Sequence, residues 1–269
     1  MDARRPTGLV TVAAVVLLAL AGTARAEPWY RGRYGRNRVI HLSITTAGAI
    51  LYFSSETFGK KYLGGLDCRW CVPDRLDASA RNALVWHDVG TANTLSNLTG
   101  YVAAPILSLG LVLIGQGSAR GSLEWGQVMD DVVPILETVV ASELALVVAK
   151  FAVERARPFV YYGGHATDPE DNLSFMSGHA ELTFALATSA GLIAHRQHYW
   201  TEPYIWAGGM TLAAATGYLR IAADKHYLTD VVGGSLVGVA AALIVPRWME
   251  RRETTVVPTG NGLAIIGAF

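Results

Sequence analysis

The chain has 269 residues, enough for one large domain or two small ones with a real core. Hydrophobic residues make up 51% of it and charged residues 16%, with a mean hydropathy of +0.30, which favours a membrane protein or a tightly packed helical bundle over an ordinary soluble domain. The 22 basic and 22 acidic residues cancel and form no dense basic stripe, which argues against nucleic acid as a partner.

Residues 1–26 have the features of an export signal. A positively charged start precedes an apolar run over 9–22, and residues 24–26 give the A-x-A pattern of a cleavage site. The alternative is an uncleaved N-terminal anchor helix, although the run is short for a membrane span. Either interpretation predicts an extracytoplasmic destination for the domain that follows, which we place at 27–253.

Six apolar segments follow the signal, and their length and their content of Ala, Leu and Val favour helices over strands. Glycine and proline clusters separate them, and no repeat or interdomain linker is present. The sequence therefore predicts one all-α domain, an antiparallel bundle of about six helices. The segments lie at about 39–55, 101–116, 131–150, 178–195, 204–221 and 228–245.

Three regions are expected outside this bundle. Residues 56–100 form a long polar connection with a short helix near 78–90, and residues 159–176 form a polar loop that contains glycine. The tail over 254–269 has a Thr-Gly-Asn-Gly turn signal at 259–262 between short apolar runs. This pattern predicts a small C-terminal hairpin.

Cys68 and Cys71 are the only cysteines, and they form a C-x2-C pair within the first connection. In an oxidising compartment such a pair can close into a small disulfide that holds its loop. A redox motif would need a βαβ context, which the sequence lacks, and a zinc site would need a second pair of ligands. A disulfide between these cysteines is therefore the expectation.

Lys150 and Arg157 stand at the end of the third segment, at a spacing that puts them nearly on one face of a continuous helix. Pro158 predicts that the helix stops at Arg157, whose guanidinium can bind phosphate oxygens in a fork while the lysine supplies a point charge. Taken alone, the pair also fits a helix terminus with cations at the negative end of its dipole.

Ser177, Gly178 and His179 precede the fourth segment, where Ser177 is a suitable N-cap. A helix start with free N–H groups, a glycine and a hydroxyl suits an oxyanion, and a histidine there can protonate a leaving group. The alternative is an ordinary capped helix with a partly exposed histidine.

Arg220 ends the fifth segment, and His226 and Asp230 open the sixth at the spacing of neighbours on one helical face. A carboxylate placed this way can hold one ring nitrogen and leave the other as a nucleophile, while Arg220 adds a third cation. A surface His–Asp pair is the alternative. Because an up-and-down bundle brings all three motifs to the same end, together they predict a phosphate site.

The motifs read KFAVERARP over 150–158, MSGH over 176–179 and LRIAADKHYLTD over 219–230. With them the chain resembles the type 2 phosphatidic acid phosphatase (PAP2) superfamily, over roughly 150–245. The resemblance implies a phosphatase that hydrolyses a phosphate mono- or pyrophosphate ester through a phosphohistidine. It implies no metal and no other cofactor, because the cations supply the electrostatic stabilisation.

The resemblance also implies roles for individual residues. His226 would attack phosphorus, His179 would protonate the departing alcohol and Asp230 would orient His226. Two positions depart from the family pattern, where Met176 replaces a proline and Leu219 replaces a serine, and neither removes a group that the chemistry needs. The phosphoryl oxygens would be held by Lys150, Arg157, Ser177, Gly178 and Arg220.

Two signals for topology conflict. Nine arginines lie at the end of the predicted bundle opposite the motifs, so the positive-inside rule places the active site outside the cytoplasm. They are Arg31, Arg33, Arg36, Arg38, Arg120, Arg196, Arg247, Arg251 and Arg252. Six crossings after a cleaved signal would instead place it inside. Either residues 1–26 are not translocated or the bundle does not cross as six spans. We expect an extracytoplasmic active site with membrane association.

The expected substrate is a phosphorylated lipid or a small phosphate ester. Two other functions remain open at this point. Vanadate mimics phosphate, so a vanadium-dependent haloperoxidase-like enzyme resembles the same site. A catalytically idle helical membrane scaffold would need none of the chemistry.

Overall fold

The computed structural model describes residues 38–251, 255–259 and 262–266, so the predicted export signal lies outside the described residues. The described part is all-α apart from one hairpin, which confirms the predicted fold class. In chain order the helices are α1 (Arg38–Ser54), α2 (Lys60–Leu63), α3 (Arg75–Leu84), α4 (Val89–Leu98), α5 (Ala104–Arg120), α6 (Trp125–Val153), α7 (Pro158–Gly163), α8 (Gly178–Arg196), α9 (Glu202–Tyr204), α10 (Met210–Ala222) and α11 (Leu228–Arg251).

Short π-helical segments join several of these helices end to end. Ser55–Gly59 connects α1 to α2, Thr99–Ala103 connects α4 to α5, and Ile205–Gly209 connects α9 to α10. The described chain thus contains six long helical rods, formed by α1–α2, α4–α5, α6, α8, α9–α10 and α11. This agrees with the bundle that the apolar segments predict.

Several boundaries differ from the sequence prediction. The second rod begins at Val89 and not near residue 101, because polar residues of α4 face the interior and hide its helical character. The connection at 56–100 is correspondingly shorter, and its short helix is α3, at Arg75–Leu84. The loop predicted at 159–176 contains α7 and a 3-10 turn over Pro169–Asn172.

The helix that carries Lys150 ends earlier than predicted. It stops at Val153, and Glu154 takes a left-handed conformation with φ 44°. Pro158 then begins α7, with Arg157 as its N-cap residue, which is a favourable position for proline. The expectation that Lys150 and Arg157 share one face of a continuous helix is therefore wrong, although both lie at the same end of the bundle.

The fourth rod, α8, is the central helix and packs against α5, α6, α10 and α11. Small residues of α11 allow an unusually close approach. A Cβ atom on Gly234 would lie 2.3 Å from the carbonyl oxygen of Ser177, and one on Gly238 would lie 2.4 Å from that of Glu181. The buried core beside α8 is formed by Ala104, Val112, Ile135, Leu186, Ala190, Ile193, Ala194, Tyr199 and Ile205.

The outer surface of the bundle is apolar. Within the described residues, three helical segments are long and apolar enough to cross a membrane, namely Val89–Arg120, Trp125–Val153 and Leu228–Arg247. Large side chains such as Ile106 and Leu236 are mostly exposed on these segments. Apolar surface of this extent on a helical bundle supports membrane association.

Two smaller features complete the fold. A disulfide joins Cys68 and Cys71 in the connection between α2 and α3. At the C-terminus, β1 (Thr255–Thr259) pairs antiparallel with β2 (Gly262–Ile266). The hairpin that the turn signal predicts is thus present, while residues 260 and 261 of its turn lie outside the described residues.

Candidate active site

The segments that carry the three motifs meet at one end of the bundle. The Ser177 N–H donates to the Asp230 carbonyl oxygen at 3.0 Å, and the His226 N–H donates to that of Arg220 at 3.2 Å. These bonds join the start of α8, the end of α10 and the start of α11. The predicted site residues other than the half-buried Gly178 are buried there.

His226 lies in the turn before α11 and not on the helix itself, and it is 3% exposed. Its Nδ1 atom is 2.8 Å from the backbone carbonyl oxygen of Ser174 and 3.8 Å from Oδ2 of Asp230. A carbonyl oxygen only accepts hydrogen bonds, so this contact favours the tautomer with the proton on Nδ1. Nε2 then keeps the lone pair that a nucleophile needs.

Asp230 contacts His226 through an intermediate residue, Ser174, and not through the direct hydrogen bond that its spacing predicts. Its Oδ2 atom accepts hydrogen bonds from the Ser174 hydroxyl at 2.6 Å and from the Tyr227 N–H at 2.9 Å. Its Oδ1 atom accepts from Arg155 at 2.5 Å. The carboxylate therefore fixes Ser174, and the carbonyl group of Ser174 fixes the ring of His226. This indirect contact replaces the predicted direct hydrogen bond between Asp230 and the ring.

All three motif cations act electrostatically on His226. Burial, followed by the positive charges of Arg157, Arg220 and Lys150, lowers the pKa of His226 well below its usual value. The imidazole is therefore neutral at physiological pH. A buried neutral imidazole among cations is suited to attack an anionic phosphoryl group, because the nucleophile and the charges that grip the oxygens are present together.

Lys150 reaches the start of α8, since a Cβ atom on Gly178 would lie 3.9 Å from its Nζ atom. The buried polar atoms without a hydrogen-bond partner among the described residues include two motif donors, the Ser177 hydroxyl and Nε of Arg220. Ser177 is the N-cap residue of α8, as predicted, but its hydroxyl makes no capping bond. Unsatisfied donors beside a helix N-terminus are the groups that a bound oxyanion would satisfy.

The guanidinium of Arg157 contacts an acidic residue that the motifs do not include. Nη2 of Arg157 is 2.9 Å from Oε1 of Glu170, and Nζ of Lys60 is 3.4 Å from Oε2. Burial alone would raise the pKa of Glu170, but Arg157, Lys60 and Lys150 outweigh it and lower the pKa to about 2. Glu170 is therefore ionised, and its carboxylate occupies one N–H group of the Arg157 guanidinium.

His179 lies on the first turn of α8 against the second rod. Its Nε2 atom is 2.8 Å from Oδ1 of Asn97, and its ring centroid is 4.4 Å from that of Tyr101. Burial, then the charge of Arg220 and further cations, lowers the pKa of His179. A proton on this histidine therefore requires extra negative charge, which a bound phosphate dianion would bring.

The second rod supplies a wall of the site that sequence reasoning missed. Nη1 of Arg220 donates to Asn93 at 2.9 Å and to Ser96 at 3.0 Å, while Asn97 and Tyr101 contact His179. The helical spacing of polar residues at 93, 96 and 97 is the available signal, but these residues lie within the stretch predicted to be a polar connection. Ser174 and Arg155 were missed as well.

The two departures from the family pattern are packing positions. Met176 and Leu219 are both buried. A Cβ atom on Gly233 would lie 3.0 Å from the sulfur of Met176, so this side chain fills the space beside the start of α11. Neither residue displaces a motif side chain.

The fold and the site define a helical-bundle protein with a cluster of buried cations and a buried histidine at one end. Residues 131–254, which include all three motifs, match the sequence model of the PAP2 superfamily, so the resemblance seen in the sequence is confirmed. Over 66 residues the chain is 35% identical to a lipid A 1-phosphatase of Porphyromonas gingivalis. That stretch covers 24% of this chain and only 14% of the relative.

Two solved structures of other proteins align with much of this chain. One is the crystal structure of a transmembrane PAP2 type phosphatidylglycerolphosphate phosphatase from Bacillus subtilis, with 18% identity and a TM-score of 0.47 over 78% of this chain and 96% of that one. The other is LpxE of Aquifex aeolicus, with 22% identity and a TM-score of 0.43 over 64% of this chain and 93% of that one.

Proposed function

We propose that the protein is a phosphatase that hydrolyses a phosphate mono- or pyrophosphate ester through a phosphohistidine at His226. The proposal is supported above all by one arrangement. His226 is buried and neutral, its Nδ1 atom lies on the Ser174 carbonyl, and the charges of Lys150, Arg157 and Arg220 all act on it. This combination provides a nucleophile and a phosphoryl cup in one place.

In the first step, Nε2 of His226 attacks phosphorus while the bond to the leaving oxygen breaks. The three cations, with the Ser177 hydroxyl and the N–H groups at the start of α8, bind the phosphoryl oxygens and stabilise their charge in the transition state. His179 gives its proton to the leaving oxygen, which departs as an alcohol or, from a pyrophosphate, as a phosphate.

In the second step, water attacks phosphorus and the phosphorus–nitrogen bond breaks. His179, now neutral, takes a proton from the water, and inorganic phosphate leaves with His226 restored as a neutral imidazole. The surroundings of the two histidines fit these roles. His226 is neutral before attack, and the negative charge of the substrate favours the protonated form of His179.

We further propose that the substrate is a phosphorylated lipid. Support comes from the apolar outer surface and from the position of Tyr101, which is 57% exposed and whose ring lies against that of His179 at a tilt of 53°. A lipid held against this face of the second rod would bring its headgroup to the site without leaving an apolar environment. The lipid A 1-phosphatase relative acts on a lipid by name.

The active site is proposed to face the extracytoplasmic side of the membrane. The Cys68–Cys71 disulfide supports this, because Trp70 between the cysteines pairs with the chain beside Arg157, at the catalytic end of the bundle. Disulfides persist in oxidising compartments. A reporter fused after residue 88, ahead of the second rod, would locate that end of the bundle on one side or the other.

The test is phosphate release by purified full-length protein in detergent micelles. The panel contains phosphatidate, phosphatidylglycerophosphate, a polyprenyl pyrophosphate and a water-soluble aryl phosphate. Wild type should release phosphate, and His226→Ala should lower kcat on the order of 10³-fold or more. Quenching in alkaline SDS with a substrate ³²P-labelled in the transferred phosphate should trap label on wild type and none on the variant, because the P–N bond of phosphohistidine survives base and hydrolyses in acid. Equal rates for both proteins would refute the assignment of His226, and no release from any substrate would favour an idle scaffold.

A further inference from the structure

Arg155 is the largest fully buried side chain of the described chain, with 1% exposure, and lies between the two cations of the first motif. Its Nη1 atom donates to Oδ1 of Asp230 at 2.5 Å and to the Thr229 hydroxyl at 2.8 Å, and its Nη2 atom donates to Oδ2 of Asp77 at 2.5 Å. The guanidinium therefore bridges two fully buried carboxylates, one from α3 and one from α11.

Asp77 also binds the start of α11 directly. Its Oδ1 atom accepts from the Thr229 N–H at 2.9 Å, and its Oδ2 atom accepts from the Thr229 hydroxyl at 2.6 Å. The carboxylate thus satisfies a free N–H group in the first turn of α11 and holds Arg155 at the same time. This side chain comes from α3, which lies outside the region that matches the PAP2 superfamily.

Two aromatic rings enclose the guanidinium of Arg155. Its Cζ atom is 3.8 Å from the ring centroid of Trp70 and 4.2 Å from that of Tyr227. Trp70 is fixed in turn, because its carbonyl oxygen accepts from the Ala156 N–H at 3.1 Å. With ion pairs at its edge and rings on its faces, the guanidinium has no room to change its orientation.

We infer that Arg155 and Asp77 are positioning residues for the proposed phosphatase reaction, on which this inference rests. Arg155 holds Ser174 in two ways: its carbonyl oxygen accepts from the Ser174 N–H at 3.0 Å, and its side chain fixes Asp230, which binds the Ser174 hydroxyl. Ser174 in turn presents its carbonyl oxygen to Nδ1 of His226. We call Arg155 and Asp77 together the clamp. The clamp sets the tautomer and the orientation of the His226 ring without touching the substrate.

The decisive variant is the double substitution Arg155→Met with Asp77→Asn. It removes the clamp but keeps the net charge of the buried cluster, because one positive and one negative charge are lost together. Arg155→Met alone would instead leave the carboxylates of Asp230 and Asp77 buried together without a cation. We expect kcat to fall about 10²-fold, since displacement of a reacting group by about 1 Å has that effect. KM and the inhibition constant of inorganic phosphate should change by less than about threefold, because the cations that grip phosphate are intact.

The matched control is Asp131→Asn. Asp131 is as deeply buried and accepts hydrogen bonds from Tyr199, Gln127 and Gln197, but it lies near the end of α6 remote from Lys150. Its kcat should equal that of wild type. A loss of kcat in both variants would assign the effect to general destabilisation and overturn the positioning role.

Asp77→Asn alone provides a second measurement if the double variant does not fold. It keeps the ion pair between Arg155 and Asp230 and weakens only the contacts of residue 77 with Arg155 and Thr229. The kcat should therefore fall about tenfold, and the inhibition constant of inorganic phosphate should not change. The outcomes separate the two proposals. An inactive wild type, or an active His226→Ala, overturns the phosphatase mechanism. An active wild type with an inactive His226→Ala, combined with unchanged kcat in the clamp variants, overturns the positioning role alone.

Discussion

Glu170 holds the guanidinium of Arg157 through a side-chain ion pair at 2.9 Å and through its backbone carbonyl oxygen at 3.0 Å. A substrate phosphate that uses this fork must therefore share or replace the carboxylate of Glu170. Because the pKa of Glu170 is lowered to about 2, the carboxylate keeps its charge throughout the working range of pH. In the proposed reaction, the Glu170 carboxylate therefore competes with phosphate for the guanidinium of Arg157.

Glu170→Gln should therefore strengthen phosphate binding. The Glu170 side chain is 47% exposed, so the lost competition is worth at most about 1 kcal/mol, or roughly a fivefold decrease in the inhibition constant of inorganic phosphate. Steady-state inhibition assays measure this directly. Glu202→Gln is the control, since Glu202 pairs with His195 at the far end of α8 and should leave the constant unchanged. Weaker phosphate binding by Glu170→Gln would contradict the competition.

The Asn97 contact predicts how the pH profile responds to charge. In the proposed reaction His179 acts as an acid only while protonated, and its pKa is lowered by burial and by neighbouring cations. A carboxylate in Asn97→Asp would favour the imidazolium and raise that pKa, so the proton would persist to higher pH. The alkaline limb of the kcat/KM profile should then move upward by about one pH unit.

Asn97→Leu is the matched variant, because it removes the hydrogen bond without adding charge. It should lower kcat/KM and leave the alkaline limb at or below its wild-type position. If Asn97→Asp and Asn97→Leu give the same profile, Asn97 does not govern the proton on His179.

The close approach of α11 to α8 predicts a steric effect at Gly234. A Cβ atom there would lie 2.3 Å from the Ser177 carbonyl oxygen, which is backbone and cannot rotate away. Gly234→Ala should lower the free energy of unfolding by about 1–3 kcal/mol and reduce kcat, because Ser177 and Asp230 share a backbone hydrogen bond at this contact.

Gly110→Ala is the control for that substitution. Gly110 also lies within a long helix, but a Cβ atom there meets nothing within 4 Å. Thermal unfolding in detergent should show no loss of stability for Gly110→Ala, and kcat should be unchanged. Equal melting temperatures for Gly234→Ala and wild type would contradict this, because they would show that α8 and α11 can move apart without loss of stability.

The number of helical rods and the common end of the three motifs were predictable, because both follow from the order and length of the apolar segments. Apolar segments gave the helical rods, and their up-and-down order placed Lys150, Ser177 and His226 at one end of the bundle. The second rod was the exception. Asn93, Ser96 and Asn97 are polar because they bind Arg220 and His179, so they resembled a solvated connection.

The contacts that aim the nucleophile were not predictable from spacing. The spacing of His226 and Asp230 predicted a direct bond on a helical face, but α11 starts at Leu228 and leaves His226 outside it. The backbone carbonyl of Ser174 took that place, and a backbone group has no signature in a sequence. Asp77 and Arg155 were equally hidden, since a buried ion pair shows only when the elements that carry its members are packed together.

The Cys68–Cys71 disulfide gives the last prediction. It closes a very short loop, so replacing both cysteines by serine should lower the free energy of unfolding by about 2 kcal/mol. The kcat should fall less than in the clamp variant, because Trp70 keeps its backbone bonds to Glu154 and Ala156 and so remains on Arg155. Thermal unfolding with and without reductant tests this. Reductant should bring the melting temperature of wild type to that of the double-serine variant and leave the variant unchanged. A reductant-insensitive wild type would show that the disulfide adds nothing to stability.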